Sequence, residues 1–182
     1  MPNYGKVYPV IEPIWDHGDS GRATMRIVVG ADHAGFTLKN IAIRALEAWG
    51  YDVEDAGTYD TTPVDFPVIT REVCDPLRSG EYDRGILICG TGVGASMAAN
   101  KIPGIRAALC HDTYSAHQCV EHDNANVLCL GAQIVGDRLA LDLIRTFLTA
   151  KWSTETSFRR RVSQLAELEQ AAADELRPAT PR

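Results

Sequence analysis

The feature of this sequence that most constrains its fold is an apolar run that ends in three alternating glycines. Residues 85–89 form the run, and its lack of polar residues predicts a strand that is covered on both faces. Gly90, Gly92 and Gly94 then predict a turn, and residues 95–100 continue with small side chains that suit a helix. The stretch therefore predicts a strand, a glycine loop and a helix, the unit from which parallel sheets are built.

Cys89 stands where this strand meets the loop. Backbone N–H groups near the positive end of a helix favour an anion or a developing oxyanion. The same partial positive charge favours a thiolate over a thiol, so Cys89 is a candidate reactive residue. The alternative is that Cys89 is a small, inert apolar residue of the core.

The rest of the chain alternates in the same way. Strands are predicted at residues 27–29, 51–54, 85–89, 105–110 and 126–130, and helices at 38–49, 67–78, 95–100, 113–122, 134–150 and 159–176. Gly50 ends the first helix, and Pro67 suits the first turn of the second. Five strands in alternation with helices predict a doubly wound, Rossmann-like α/β fold, a three-layer sandwich around a five-stranded parallel sheet.

The chain is long enough for one α/β domain, which we place at residues 25–150. Residues 1–24 are rich in proline and glycine and are interpreted as an irregular arm that packs on a partner surface. Residues 151–176 contain a helix whose apolar stripe needs a surface to cover, so it is expected to pack on a partner subunit. Residues 177–182 are expected to be a frayed tail. In the arm of residues 1–24, the side chains expected to contact the partner are Tyr8, Ile11, Ile14 and Trp15, and His17 is expected to lie at the surface.

Charge and cysteine content exclude several classes of protein. The formal net charge of −6 and the pI of about 5.3 argue against a nucleic-acid or anionic-membrane binder. Every apolar segment is too short to span a membrane, and the N-terminus has no basic region followed by an apolar core. Five cysteines without CxxC spacing indicate free thiols rather than disulfides or a zinc site. These features predict a cytoplasmic protein with neither a nucleic-acid nor a membrane partner.

Polar residues converge on the edge of the sheet where the strands end, which is where such sheets bind ligands. They follow four successive strands: Asp32 and His33, Asp65, Cys89 and Thr91, and His111 and Asp112. Two kinds of function fit them.

One interpretation is an NAD(P)-binding protein. Gly90, Gly92 and Ala95 match a G-x-G-x-x-A spacing, and Asp112 lies where an acidic residue would hold a ribose hydroxyl. However, the same edge also carries several titratable groups, which a dinucleotide site does not need and a proton-transfer enzyme does.

The other interpretation is proton transfer on a small sugar or polyol. Interconverting an aldose and a ketose needs a base at carbon, donors for an enediolate oxygen, and an acid that opens the sugar ring. Cys89, Thr91 with the loop amides of residues 90–94, and a histidine or aspartate supply these three roles without a metal.

Several motifs of residues 25–169 resemble those of the type B ribose-5-phosphate isomerases and the related galactose-6-phosphate isomerase subunits. They occur in that family's order: Gly30-Ala31-Asp32-His33-Ala34-Gly35, Asp65-Phe66-Pro67, Ile88-Cys89-Gly90-Thr91-Gly92-Val93-Gly94, Ala99-Asn100-Lys101, Gly104-Ile105-Arg106-Ala107 and His122-Asp123-Asn124-Ala125-Asn126-Val127-Leu128. The resemblance implies an aldose–ketose isomerase of a sugar or sugar phosphate, with no cofactor. It also implies a homodimer, or a dimer of dimers, in which each active site draws on both protomers.

The resemblance also implies roles for individual residues. Cys89 is then the base that moves the proton between the first two sugar carbons, and Thr91 with the amides of Gly90, Gly92 and Gly94 steadies the enediolate. His122 and Asp32 assist ring opening. The implied substrate contacts are His33, Asp65, Asn100, Asp123 and Arg161.

These roles have structural alternatives. His122 can be a helix-end residue, Asp32 a turn residue or cap, and Asp65 an N-terminal partner of the helix begun at Pro67. Residues 159–161 can be a solvated helix start.

The sequence departs from the family pattern at four positions. Ser157 and Gln133 stand where the family commonly has arginines associated with phosphate, Phe66 replaces a frequent tyrosine, and Asp123 a usual asparagine. We therefore expect isomerase chemistry with a preference for a sugar other than ribose 5-phosphate.

Overall fold

The computed structural model describes residues 24–176 and contains a five-stranded parallel sheet. The strands in chain order are β1 (Arg26–Ala31), β2 (Asp52–Asp55), β3 (Arg84–Cys89), β4 (Ala107–Leu109) and β5 (Val127–Gly131). They lie side by side in the order β2-β1-β3-β5-β4, so the glycine-loop strand β3 is central. The predicted parallel α/β sheet is confirmed.

Six helices accompany the sheet in the described part of the chain. They are α1 (Phe36–Ala48), α2 (Phe66–Arg78), α3 (Val93–Ala99), α4 (Thr113–Glu121), α5 (Asp137–Thr149) and α6 (Thr156–Glu175). One apolar core lies between the sheet and α1, α4 and α5, and a second lies between the other sheet face and α2 and α3. Helices cover β3 on both faces, as its continuous apolar run predicts, and Ile86, Leu87 and Ile88 are all buried.

Helix α6 differs from the other helices because none of its residues is buried against the described part of this chain. Leu165 and Leu168, which belong to its predicted apolar stripe, are 47% and 68% exposed. None of the helices in residues 24–176 combines the length and the apolarity that crossing a bilayer demands.

Each element differs from the sequence prediction by one to three residues at one or both ends, and two of these differences have an identifiable cause. The sequence predicts strand β4 over residues 105–110, but the strand spans only Ala107–Leu109. Its start is delayed because the Arg106 N–H donates to the side chain of Asn126, which replaces a bond between strands. Helix α5 begins at Asp137 rather than Ile134, since the preceding residues form a turn that ends in the extended Gly136. Expectations for residues 1–23, including those on Tyr8, Ile11, Ile14, Trp15 and His17, and for the tail at 177–182 lie outside the described residues.

A fully buried lysine joins α1 to the end of β2. Lys39 has no exposed surface, and its ammonium forms an ion pair with Asp55, whose side chain is one-third exposed. The ammonium also lies over the ring of Tyr59, 5.2 Å from its centre, while the Asp55 carboxylate accepts the N–H of Gly57 at 2.9 Å. The pair therefore fixes the chain as it leaves β2 for the loop that carries Asp65.

We expect Lys39→Met to lower the free energy of unfolding by about 3 kcal/mol. Removing one member of a buried ion pair leaves the other charge uncompensated, and the partial exposure of Asp55 puts the loss at the low end of the usual range. Urea unfolding at a fixed protein concentration measures it. The matched control is Arg71→Met, which breaks the exposed Arg71–Asp75 pair and should change stability by less than about 0.5 kcal/mol. Equal effects of the two variants would contradict a structural role for Lys39.

Candidate active site

The carboxyl edge, where the strands end, carries Cys89 as the last residue of β3. Cys89 is 5% exposed, and the Gly92 N–H donates a hydrogen bond to its Sγ at 3.1 Å. This hydrogen bond holds the sulfur at the point where β3 meets the glycine loop. Gly92 has a φ of +78°, and a Cβ there would lie 2.4 Å from Leu109, so the turn that aims this N–H requires glycine.

The glycine loop continues around Thr91 into the first turn of α3. The Val93 N–H donates to Thr91 Oγ1 at 3.4 Å, which orients the hydroxyl next to the loop backbone. A Cβ on Gly94 would lie 3.0 Å from the ring of Phe66, so this ring packs directly on the loop. N–H groups in the first turn of a helix lack intrahelical acceptors and are available to an oxyanion.

Asp32 and His33 follow β1, the neighbour of β3. Asp32 is 9% exposed, and its Oδ1 accepts the N–H groups of Ala34 and Gly35 at 2.9 and 3.1 Å. One carboxylate oxygen thus serves the turn, as the structural alternative expected, and Oδ2 has no hydrogen bond within residues 24–176. His33 is exposed and accepts the Val64 N–H at Nδ1, 3.3 Å away. A proton on its other nitrogen, Nε2, is then available to a ligand.

Asp65 occupies the N-cap position of α2 without acting as a side-chain cap. Its backbone carbonyl accepts the Val68 N–H at 3.0 Å, and its carboxylate makes no hydrogen bond to the described residues. The following residue, Phe66, contacts the glycine loop at Gly94. The exposed carboxylate is therefore near the loop and is not used by the helix.

Two residues reach the glycine loop from β5 and β4. A Cβ on Gly90 would lie 3.3 Å from Gln133 Oε1, so the Gln133 carboxamide rests against the Cys89–Gly90 corner. His111 Nε2 accepts the N–H of Gly131, the residue paired in register with Cys89, at 3.2 Å. In the sequence, Gln133 stands out only as a missing arginine, and His111 has no assigned role. Their proximity depends on the strand order, for which the sequence has no local signal.

The remaining predicted site residues lie at the opposite edge, where the strands begin. His122 ends α4, two residues before Asn124, whose carbonyl accepts from Arg106 beside the start of β4. Asn100 ends α3 and uses its carboxamide to bind the backbone of Ala107 and Ser96. Asp123 is exposed next to His122, and Arg161 lies on α6, which starts beside the end of α4.

His122 belongs to a small junction between α4 and α6. Its imidazole stacks on the ring of Phe158 with 3.9 Å between ring centres and 14° between planes. The Arg161 guanidinium lies 5.5 Å from the centre of the same ring, and Glu121 Oε2 lies 3.7 Å from His122 Nε2. We call His122, Asp123, Phe158 and Arg161 the α4–α6 junction. The sequence does not single out Phe158, because only the fold brings it to His122.

The candidate residues therefore form two groups at opposite edges of the sheet. Cys89 ends β3, whereas His122 lies near the start of β5, and the six residues of β3 span about 17 Å. The structure brings together Asp32, His33, Asp65, Cys89 and residues 90–94 at the carboxyl edge. It does not bring His122, Asp123, Arg161 or Asn100 to Cys89 within one protomer.

The residue on which the dinucleotide interpretation depends has a local structural role. Asp112 caps α4: one carboxylate oxygen accepts the Ser115 N–H and the other the Ser115 hydroxyl, both at 2.8 Å. These hydrogen bonds hold the pKa of Asp112 below its usual range. Because both oxygens serve the cap, Asp112 is poorly placed to bind a ribose hydroxyl.

Comparison with known proteins agrees with this geometry. Residues 27–165 match the family model described as Ribose/Galactose Isomerase. The chain is 40% identical to ribose-5-phosphate isomerase B of Escherichia coli over 145 residues, which is 80% of this chain and 97% of that protein. It is 41% identical to a D-erythrulose-4-phosphate isomerase of Pectobacterium atrosepticum over 131 residues, 70% of this chain and 85% of that protein.

A solved structure shares the fold. Ribose-5-phosphate isomerase B of Clostridium thermocellum superimposes with a TM-score of 0.80 at 44% identity, covering 81% of this chain and 99% of that one. These matches do not support the NAD(P) alternative. The chain belongs to the ribose/galactose isomerase family and is an aldose–ketose isomerase.

Proposed function

We propose that the protein interconverts an aldose and a ketose sugar phosphate through an enediolate, at an active site shared by two protomers. The observation that carries this proposal is the separation of Cys89 from His122 by the length of the sheet. A homodimer in which the α4–α6 junction of one protomer faces the carboxyl edge of the other brings both groups to one sugar.

In this mechanism Cys89 is the carbon base. Its thiolate removes the C2 proton of the open-chain aldose, the C–H electron pair forms the C1=C2 bond, and O1 becomes the enediolate oxyanion. Thr91 and the amides of Gly90 and Gly94 donate to that oxygen. The Gly92 N–H already donates to Cys89 Sγ, so a contact of Gly92 with the sugar stays a prediction. A proton moves from O2 to O1, and the Cys89 thiol returns its proton to C1, which gives the ketose.

The other site residues have binding and ring-opening roles in this proposal. His122 and Asp32 move the protons that open the sugar ring, and Asp32 has a carboxylate oxygen left for this purpose. His33 donates to the far end of the sugar, and Asp65, Asp123 and Arg161 supply further polar contacts. A binding role for Asn100 stays a prediction, since its carboxamide is already occupied by backbone groups.

Two exposed apolar surfaces support the dimer. Near the glycine loop, Val93 and Met97 lie on one face of α3 and are 47% and 63% exposed. Leu109, which packs against Gly92 of the same loop, is also exposed. Helix α6 presents Leu165 and Leu168, also exposed. Burying these surfaces against each other in a two-fold dimer covers both and brings Arg161 and His122 to the partner's loop. Sedimentation should show a dimer or larger species at micromolar concentration; a stable monomer would contradict the shared site.

Mixing two inactive variants tests the shared site directly. In a dimer with one Cys89→Ala and one His122→Ala protomer, one active site carries both substitutions and the other carries neither. Denaturing and refolding an equal mixture should therefore restore about a quarter of wild-type kcat, since half of the dimers are mixed and each has one intact site. Each variant refolded alone is the control. A mixture as inactive as its components would show that Cys89 and His122 of different protomers do not meet.

We also place the protein in the cytoplasm. All five cysteines are buried and unpaired, as expected in a reducing compartment.

A further inference from the structure

Helix α6 provides an aromatic surface for the residue that is proposed to open the sugar ring. Phe158 lies in the first turn of α6 and is half-buried, and its ring covers one face of the His122 imidazole at 3.9 Å. A near-parallel stack of this kind restricts rotation of the imidazole about its χ2 angle, because any large rotation drives its edge into the phenyl ring. The imidazole nitrogens then keep a fixed direction.

The surrounding contacts hold Phe158 itself in place. The Ser153 N–H donates to the Glu121 carbonyl at 2.9 Å, which ties the segment before α6 to the end of α4. Arg159 donates to the Ser153 carbonyl and lies over the ring of Trp152 at 4.4 Å. Contacts before and after Phe158 in the sequence therefore hold the start of α6 against the end of α4. They keep the Phe158 ring in a fixed position beside His122.

The charged groups near the imidazole are Glu121, Asp123 and Arg161. Glu121 Oε2 is 3.7 Å from His122 Nε2, beyond hydrogen-bond distance, and Asp123 is exposed. Arg161 approaches the Phe158 ring rather than the histidine. Among the described side chains, the Phe158 ring is therefore the one that fixes the plane of the His122 imidazole.

We propose that Phe158 is a positioning residue that orients His122 for opening the sugar ring of the partner's substrate. The inference rests on the proposed ring-opening role of His122. It does not give Phe158 a role in proton abstraction at carbon, which belongs to Cys89 at the other edge of the sheet.

Ring opening and enolisation can be measured separately because ribulose 5-phosphate, the ketose partner of ribose 5-phosphate, has no ring. In ribulose 5-phosphate the C5 oxygen is esterified, so the C2 ketone has no hydroxyl with which to close a five-membered ring. Exchange of its C1 hydrogen in D₂O therefore reports enolisation alone. Conversion of ribose 5-phosphate, which is a furanose in solution, also requires ring opening.

We expect Phe158→Leu, which keeps an apolar side chain but removes the ring, to lower kcat for ribose 5-phosphate by about tenfold or more. Deuterium exchange into ribulose 5-phosphate should stay within about threefold of wild type, since Cys89 and its loop are untouched. Phe158→Tyr retains the stacked ring and should restore kcat to within about threefold. Val162→Ala removes apolar contact one turn further along α6 and is the matched control for a merely structural effect.

A spectroscopic measurement tests the stack without activity. With ¹³C-labelled histidine, the His122 ring signal, assigned with His122→Asn, should lie upfield in wild type and in Phe158→Tyr because of the aromatic ring current. It should move downfield in Phe158→Leu. A His122 signal that does not move in Phe158→Leu would overturn the proposal. So would a Phe158→Leu variant that, like the Val162→Ala control, loses isomerisation and deuterium exchange to the same extent. Full activity of His122→Ala would instead refute the ring-opening role of His122, and with it that part of the proposed function.

Discussion

Cys89→Ala is expected to lower kcat for sugar-phosphate isomerisation by about 10²–10⁴-fold, because it removes the group that we propose accepts and returns the proton at carbon. The free energy of unfolding should fall by about 1 kcal/mol, the effect of deleting one small buried atom group. The Gly92 N–H loses its sulfur acceptor at the same time, and the loss of this buried hydrogen bond is part of the expected cost. Steady-state kinetics with ribose 5-phosphate and urea unfolding measure the two quantities.

Cys129→Ala is the matched control for this prediction. Cys129 is a completely buried thiol on β5, paired through the sheet with Leu87, and it does not reach the glycine loop. Its replacement should cost similar stability and leave kcat within a few fold of wild type. If Cys89→Ala retained a tenth or more of wild-type kcat, the base would have to be a carboxylate at the same edge, and Asp32 would be the first to substitute.

Alkylation gives a second test of Cys89. Burial raises the pKa of Cys74 to about 12 and raises that of Cys129 as well, so these thiols should be inert at neutral pH. A hydrogen bond between Cys110 and Cys119 raises the pKa of Cys110 and lowers that of Cys119. Iodoacetamide should therefore spare Cys74, Cys110 and Cys129. We expect it to modify Cys119 and also Cys89, the proposed base at the carboxyl edge, and a sugar phosphate should protect Cys89 alone. Protection of Cys119 instead would contradict the placement of the sugar at the glycine loop.

The fold is predictable from the sequence because its physical signals are local. A strand covered on both faces must be apolar throughout, and residues 85–89 meet that requirement by their composition alone. The alternating glycines have a similarly local cause, since the turn at Gly92 requires a positive φ. The chemistry predicted for the carboxyl edge follows, because the ends of parallel strands always lie at one edge.

Other features depend on contacts between distant segments. The strand order places β5 beside β3, and only this order brings Gln133 to Gly90 and His111 to Gly131. Phe158 meets His122 across 36 positions of sequence, and an aromatic residue in an amphipathic helix has no pattern that identifies such a partner. The sequence pattern overestimates the length of β4 because a side-chain acceptor, Asn126, replaces part of the strand pairing.

The division of the site between two edges is derivable from the sequence pattern, since a helix that follows a parallel strand returns to the edge where strands begin. Cys89 ends a strand and His122 ends a helix, so the two cannot be neighbours within one protomer. The sequence pattern does not identify the surface that binds the partner. Exposed apolar residues such as Met97 and Leu168 are common on protein surfaces, so neither one marks an interface by itself.

We expect substrate choice to depend on two positions that lack a positive charge. The Gln133 carboxamide rests against Gly90 at the glycine loop, and Ser157 precedes Phe158 in the α4–α6 junction. In the shared site that we propose, these two positions would approach one sugar from different protomers. Charge-assisted hydrogen bonds to phosphate are worth about 1.5–3 kcal/mol each, and arginine makes them in pairs. The lack of both arginines should weaken capture of ribose 5-phosphate by orders of magnitude.

We therefore expect another sugar to exceed ribose 5-phosphate in kcat/KM. The comparison includes free ribose, allose, and four- and six-carbon sugar phosphates, and the four-carbon case has added interest because a relative is a D-erythrulose-4-phosphate isomerase. A hundredfold preference for ribose 5-phosphate over all of them would show that the phosphate is held by other groups, and the three arginines at the start of α6, Arg159, Arg160 and Arg161, would be the first to substitute.

Restoring the charge tests the cause. Gln133→Arg should raise kcat/KM for ribose 5-phosphate by about 10- to 100-fold, chiefly through KM, because one charge-assisted contact is regained without change to Cys89. Gln133→Glu, of nearly the same size but opposite charge, should lower it, and Gln133→Met should have little effect on phosphate capture. Ser157→Arg should act in the same direction as Gln133→Arg. If arginine and glutamate at 133 changed kcat/KM equally, position 133 would act through packing on Gly90 rather than through the substrate phosphate, since only an electrostatic contact distinguishes the two charges.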